Sequence, residues 1–174
     1  MRTSILSSWQ RSRSLGLSPD QADLPFRDDF DRDARIVRAA VPVLDRLQAR
    51  FAGSRMNISV ADASGTVLLR RFGEASLARS LPAFQRVPGF VFAERVAGTN
   101  GIGLALAERQ LIRVHGAEHF AERSQRSACR ALPAAIRSAV VSRACCASAI
   151  RAAPKTRSWR SRYARRPRPS SGGC

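Results

Sequence analysis

The stretch Gly98-Thr99-Asn100-Gly101-Ile102-Gly103 decides the fold of this chain. Three glycines within six residues give a backbone that can take positive φ and approach another surface closely. Thr99 or Asn100 is placed to cap a helix that runs past Leu104, and a short strand at 111–114 follows. The glycine spacing matches neither the dinucleotide fingerprint nor the P-loop, so the pattern favours a tight turn before a packed helix over a phosphate cradle.

Three segments upstream predict an α+β domain with a largely antiparallel sheet. A short helix around Trp9 ends before Gly16, and a polar linker follows it to residue 32. An apolar stripe between Asp33 and Phe51 predicts a helix that either packs on the sheet or pairs with its copy in a homodimer. Pro42 should kink or divide that helix. Alternation over 57–62 and 66–72, around an Asp/Ser/Gly turn, predicts a β-hairpin.

The net charge of +17 is concentrated at the C-terminal end. Residues 1–125 hold 18 Arg and all 13 acidic residues, whereas residues 126–174 hold 12 Lys and Arg and no acidic residue. All four cysteines lie beyond residue 128 without zinc-type spacing. No apolar run reaches the ~20 residues of a membrane span. We expect a cytoplasmic protein with no metal, no cofactor and no membrane contact.

The glycine stretch is preceded by Glu94 and followed by Gly116-x-Glu118-His119-Phe120. This pattern closely resembles the GAF sensor region of bacterial sigma-54-dependent, Fis-family activators of the acetoin catabolism regulator type. A Ser8-Trp9-x-Arg11-Ser12 motif near the N-terminus belongs to the same resemblance. The motif residues that carry it downstream are Gly98, Thr99, Asn100, Gly101, Ile102, Gly103, Glu118, His119 and Phe120.

The resemblance implies the N-terminal ligand-sensing region of a transcriptional regulator, with an unknown small-molecule effector. We expect the ATPase and DNA-binding output domains of that family to be absent from this chain. Ligand pockets are apolar with a few aimed polar groups. The candidates to line such a pocket are Phe90, Phe92, Glu94, Asn100, His115 and His119, although each is individually also explained as a structural residue.

Residues 130–174 depart from the family pattern. We assigned G or C to the third position of each codon and shifted the reading frame back by one base. From Arg130 onward the shifted frame encodes Gly-Ala-Pro-x-Arg-Asp-Pro, which resembles the missing end of the domain. We therefore predict a frameshift near Cys129, leaving residues 1–32 as N-terminal helix and linker, 33–129 as a partial GAF-like domain and 130–174 as a disordered or irregularly helical basic tail. Without its last two strands, the 57–62 strand should have a bare edge, and the protein should be marginally stable.

Two other functions compete with sensing. An arginine-rich run interleaved with Trp159 and Tyr163 predicts non-specific, salt-dependent nucleic-acid binding through Arg157, Arg160, Arg162, Arg165, Arg166 and Arg168. His115, Glu118 and His119 superficially resemble an inverted zinc-protease motif. That motif requires a helix, and Gly116 favours a loop, so we expect no enzyme.

Overall fold

A single antiparallel sheet organises the computed structural model, which describes residues 2–21 and 23–133 together with the backbone of residues 139–146. Its five strands run in the order β2-β1-β5-β4-β3. They are β1 (Met56–Asp62), β2 (Val67–Phe72), β3 (Ile112–His115), β4 (Ser127–Pro133) and β5 (Ala139–Cys146). The predicted hairpin is confirmed as the β1–β2 pair.

Six helices flank the sheet in the described part of the chain. They are α1 (Thr3–Ser14), α2 (Arg35–Arg50), α3 (Ala75–Ser80), α4 (Ala83–Arg86), α5 (Glu94–Ala97) and α6 (Gly101–Glu108). Two 3-10 turns, Gly116–Glu118 and Glu122–Ser124, lie between β3 and β4. This architecture confirms the expected α+β class. None of the described helices has the length and apolar character to cross a bilayer.

The two faces of the sheet carry different helices because side chains alternate along each strand. On β1, Ile58 and Val60 pack with Leu44 of α2. Ala61 points to the opposite face and packs with Ile102 of α6. The second face therefore lies under the glycine stretch.

The α2 helix packs its apolar stripe on the sheet, with Val37 and Leu44 buried. It continues through Pro42 without dividing. A proline removes one helical hydrogen bond, and here the packing of both ends of the helix on the sheet offsets that loss. A homodimer formed through this helix would have to use its outward face, where Val43 is 44% exposed.

The α1 helix is built into the same domain. Ile5 and Trp9 lie in one buried cluster with Leu104, Val114 and Phe120. The rings of Trp9 and Phe120 meet edge to face, with centroids 4.9 Å apart. Burial of two such aromatic rings is a large contribution to the core.

The end of the sheet contradicts the expectation of a bare edge on the first strand. β5 pairs with β1 from Met56↔Cys145 to Asp62↔Ala139, and β4 pairs with β5 on its other side. The predicted disordered or irregularly helical tail is also wrong for residues 139–146, which form a strand. Two open edges offer a full ladder of backbone hydrogen bonds, and such tertiary pairing overrides the helix preference of Ala and Arg. The predicted tail conformation for residues 134–138 and 147–174 lies outside the described residues.

Candidate functional site

A cavity of about 60 Å³ lies between the sheet and the segments that surround α6. The sheet contributes the side chains of Asn57 and Ser59 from β1, Arg70 from β2, and Ser127 and Cys129 from β4. The cavity is completed from above by Gln85, Phe92, Asn100, Gly101, Ile102, His119 and Ser124. Several of its polar residues are buried, with exposed fractions of 1% for Asn57 and Ser59 and 3% for His119.

Asn100 fixes the turn that forms one wall of the cavity. Its side-chain NH₂ donates to the carbonyl oxygens of Phe92, at 2.9 Å, and Gly98, at 2.8 Å. Its side-chain oxygen accepts from the backbone N–H of Gly103 at 2.9 Å, which makes it the N-cap of α6. One amide group thus joins the segment before the turn, the turn itself and the helix after it.

Two of the motif glycines are required by close packing. Gly98 has φ +65°, and a Cβ there would lie 2.5 Å from the Cδ1 atom of Phe120. A Cβ at Gly101 would lie 2.6 Å from the Sγ atom of Cys129 on β4. Both distances are far below van der Waals contact, so the glycines let α6 and its preceding turn sit directly on neighbouring side chains.

His119 is held in one tautomer by its surroundings. Its Nδ1 atom lies 3.1 Å from the carbonyl oxygen of Gly116. A carbonyl only accepts, so Nδ1 carries the proton and Nε2 presents a lone pair. Burial lowers the pKa of His119, while the Gly116 bond and the charge of Glu118 act in the opposite direction. The ring is therefore neutral near pH 7.

Arg70 is the only charged side chain among the described residues of the cavity wall. Its guanidinium carbon lies 5.7 Å from the ring centroid of Phe92, within cation–π range. Its NH2 group also donates to the carbonyl oxygen of Phe84 at 3.2 Å. Within the part of the chain that the structure describes, the wall carries positive charge and no carboxylate.

The α1 helix contacts the cavity-forming loops from outside. The hydroxyls of Ser8 and Thr99 share a buried hydrogen bond of 2.8 Å. The indole Nε1 of Trp9 donates to the carbonyl oxygen of Glu118 at 2.8 Å, next to His119. The N-terminal Ser-Trp motif thus contacts both loops of the site.

The structure brings together three of the six predicted pocket residues, Phe92, Asn100 and His119. Phe90 instead meets Phe26 edge to face at 4.9 Å between centroids. Glu94 pairs with Arg11 of α1 at 2.7 Å. His115 is exposed at the end of β3 and caps the 3-10 turn that follows.

Sequence reasoning missed the sheet side of the cavity. Asn57 and Ser59 alternate with apolar residues on β1, whereas Arg70 is followed by a second arginine on β2 and left no such pattern. Buried polar residues at alternate positions of a strand were the available signal, since a core-facing position is normally apolar. Alternation alone does not tell which face is covered by α6.

The described residues give less support to a zinc site or a nucleic-acid site. His115 and His119 flank a 3-10 turn rather than lying on an α-helix, as expected from Gly116. Within the described ranges, no three His, Cys, Asp or Glu side chains cluster to hold a metal ion. The arginines proposed to bind nucleic acid, from Arg157 to Arg168, lie outside the described residues.

Comparisons with known proteins agree with this architecture. The model of the MimR N-terminal domain matches residues 1–157. Two propane 2-monooxygenase operon transcriptional activators named MimR are similar, with 39% identity over 117 residues in Mycolicibacterium goodii and 37% over 118 residues in Mycolicibacterium smegmatis. The alignments cover 67% and 68% of this chain but 20% of each relative, so the chain spans about a fifth of their length.

The fold also matches that of a solved structure. DhaR(N), in the crystal structure of the E. coli DhaR(N)-DhaL complex, has a TM-score of 0.67 and 21% identity, covering 83% of this chain and 52% of that chain. The named relatives are transcriptional activators, which agrees with a regulatory rather than an enzymatic role. The chain therefore belongs to the MimR N-terminal domain family, a GAF-like sensory domain of transcriptional activators.

Proposed function

We propose that this domain senses a small organic effector bound in the cavity between the sheet and α6. The observation that carries the proposal is the cavity itself, which combines buried polar side chains, Ser59 and His119, with apolar ones, Phe92 and Ile102. Ligand sites have this composition, because apolar walls supply affinity and a few polar groups supply orientation.

The cavity volume bears on the size of the effector. At about 60 Å³ the cavity is small, which favours a small organic molecule. The two MimR relatives are named for a propane 2-monooxygenase operon, and an effector related to a three-carbon substrate fits this volume.

We further propose that the domain belongs to a cytoplasmic regulator of sigma-54-dependent transcription. Its support is the resemblance carried by Gly98 to Gly103 and by Glu118 to Phe120, together with membership of an activator family. Contacts of α1 with Thr99 and Glu118 give a route by which occupancy of the cavity would alter the N-terminal helix.

The methyl group of Ile102 provides a direct test, because this residue lines the cavity. The full 174-residue chain, labelled at isoleucine methyl groups, would be titrated with three- to five-carbon alcohols, ketones and carboxylates. We expect at least one of them to shift the Ile102 signal saturably while the signal of Ile36, on α2 at the other face of the sheet, stays in place.

Two serine variants make the test specific. Ser59→Leu fills the cavity and should abolish the shift, whereas Ser14→Leu, on the exposed surface of α1, should leave it unchanged. An Ile102 signal that no compound moves, or one that moves equally in Ser59→Leu, would contradict effector binding at this place.

A further inference from the structure

The charge of the cavity wall comes from Arg70, within the part of the chain that the structure describes. All 13 acidic residues of the protein lie between residues 20 and 122, and none of them lines the cavity. The His119 ring is neutral near pH 7, because burial lowers its pKa. The net charge of the described wall is therefore positive.

The strand register places a hydroxyl beside this cation. Arg70 on β2 lies directly opposite Ser59 on β1. Directly opposed residues of an antiparallel pair share one face of the sheet, with Cβ atoms about 4.5–5.5 Å apart. Both side chains line the cavity. Guanidinium and hydroxyl groups can both donate hydrogen bonds, and carboxylate oxygens accept them, so the pair is matched to a carboxylate.

Two neighbours orient the guanidinium of Arg70. Its Nη2 group donates to the carbonyl oxygen of Phe84 at 3.2 Å, and its central carbon lies 5.7 Å from the ring centroid of Phe92. Neither contact supplies a negative charge. A guanidinium has five N–H donors, so the bond to Phe84 is compatible with a further acceptor. Holding the group in place before binding lowers the entropy lost when a ligand arrives.

We propose that the cavity binds a small organic anion, a carboxylate with a short alkyl part. The carboxylate accepts hydrogen bonds from Arg70 and Ser59, and the alkyl part packs on Phe92 and Ile102, which line the same cavity. Like charges repel, which disfavours a cationic ligand, and an uncharged ligand gains no Coulomb attraction to the guanidinium. The inference rests on the proposed function, that the cavity is the effector site, and adds the charge and chemical class of the effector.

Three ligands of similar size provide the test: propionate, propionamide and sec-butylammonium, which carry a negative charge, no charge and a positive charge. Binding to the full chain is followed through the Ile102 methyl signal, with Ile36 on α2 at the other face of the sheet as the internal reference. Propionate should bind at least about tenfold more tightly than propionamide, because hydrogen bonds between charged groups are stronger than those to a neutral group. Sec-butylammonium should bind more weakly than either.

Two adjacent arginines on β2 give a matched pair of variants. Arg70→Gln removes the charge of the cavity and should weaken propionate at least about tenfold, while propionamide changes by less than about threefold. Arg71→Gln removes the same charge from the next residue, which pairs with Asp45 of α2 at 2.7 Å, and should change propionate by less than about threefold. Arg70→Lys keeps the charge but not the planar fork, so it should recover part of the propionate affinity.

The outcomes distinguish the two proposals. If propionamide or sec-butylammonium binds as tightly as propionate, or if Arg71→Gln weakens propionate as much as Arg70→Gln does, the carboxylate assignment is overturned while the cavity remains an effector site. The comparison of the three ligands uses the unsubstituted chain, so it decides the assignment even if Arg70→Gln does not fold. If these ligands and the alcohols and ketones all leave the Ile102 signal in place, both the carboxylate assignment and the proposed function are overturned.

Discussion

Replacing Asn100 with Asp tests the role of this side chain at the centre of the site. The two residues are nearly the same shape, and both are good N-caps. Asp retains the acceptor for the N–H of Gly103 but has no NH₂ group to donate to the carbonyl oxygens of Phe92 and Gly98. At neutral pH the variant places a carboxylate oxygen against two carbonyl oxygens.

The expected loss follows from the count of hydrogen bonds. Two donated bonds contribute about 1 kcal/mol each, and two buried acceptors left facing an anion add to the cost. The favourable interaction of a negative charge with the helix N-terminus returns about 0.3–1 kcal/mol. We expect Asn100→Asp to lower the free energy of unfolding by about 2–4 kcal/mol at pH 7.5.

The pH dependence distinguishes this explanation from a general packing defect. Burial and the facing carbonyls should raise the pKa of the introduced carboxyl in the folded state above its unfolded value of about 3.9. The unfolded variant then binds fewer protons than the folded one, so the difference from the wild type should shrink as the pH falls through the folded pKa.

Urea unfolding of the full chain, measured for wild type and variant at pH 7.5 and pH 5, checks both statements. Asn100→Ser, which keeps the cap but only one donor, should lose about 1–2 kcal/mol. A loss below about 0.5 kcal/mol for Asn100→Asp at pH 7.5, or an equal loss at both pH values, would refute the reasoning.

Two further changes have signs fixed by the structure. Gly98→Ala places a methyl group against the Phe120 ring and should lower the free energy of unfolding by about 3–5 kcal/mol. Gly53→Ala, with φ +76° and no heavy atom within 4 Å of the new Cβ, should lower it by only about 1–2 kcal/mol. Equal losses of the two variants in urea unfolding would contradict the steric argument. For His119 the folded pKa is lowered, so the unfolded state takes up a proton first and stability should fall as the pH drops below about 6.5, by no more than about 1.4 kcal/mol per pH unit. His119→Gln should remove that part of the slope between pH 7.5 and pH 5.5, and an unchanged slope would show that another group titrates.

The C-terminal end of the domain shows where local sequence preference fails. Ala and Arg favour helix, and the composition after Cys129 carries no turn-and-strand pattern, yet residues 139–146 pair with both β1 and β4. The segment forms a strand because it hydrogen-bonds to the open edges of two neighbouring strands, β1 and β4. Those edges can be identified only when the positions of all strands are known. The frameshift hypothesis stays a prediction, and the nucleotide sequence past codon 129 tests it.

The sequence by itself determined the α+β class, the hairpin of β1 and β2, the capped helix after the glycine stretch and the GAF-like family. Each of these depends on local periodicity, turn residues or a contiguous motif, which are properties of neighbouring residues. It also indicated Phe92, Asn100 and His119 as pocket candidates, and the structure places all three at one cavity.

Only the tertiary structure decided which polar residues share that cavity and which hydrogen bonds their side chains make. Ser59 and His119 are 60 residues apart in sequence and meet because β1 and the loop after β3 enclose the same space. Asn100 and His119 appear equivalent in the sequence, yet the Asn100 side chain makes three hydrogen bonds in the fold, whereas the His119 ring contacts the carbonyl oxygen of Gly116. Hydrogen-bond satisfaction depends on which groups meet in space, and a linear pattern does not contain that information.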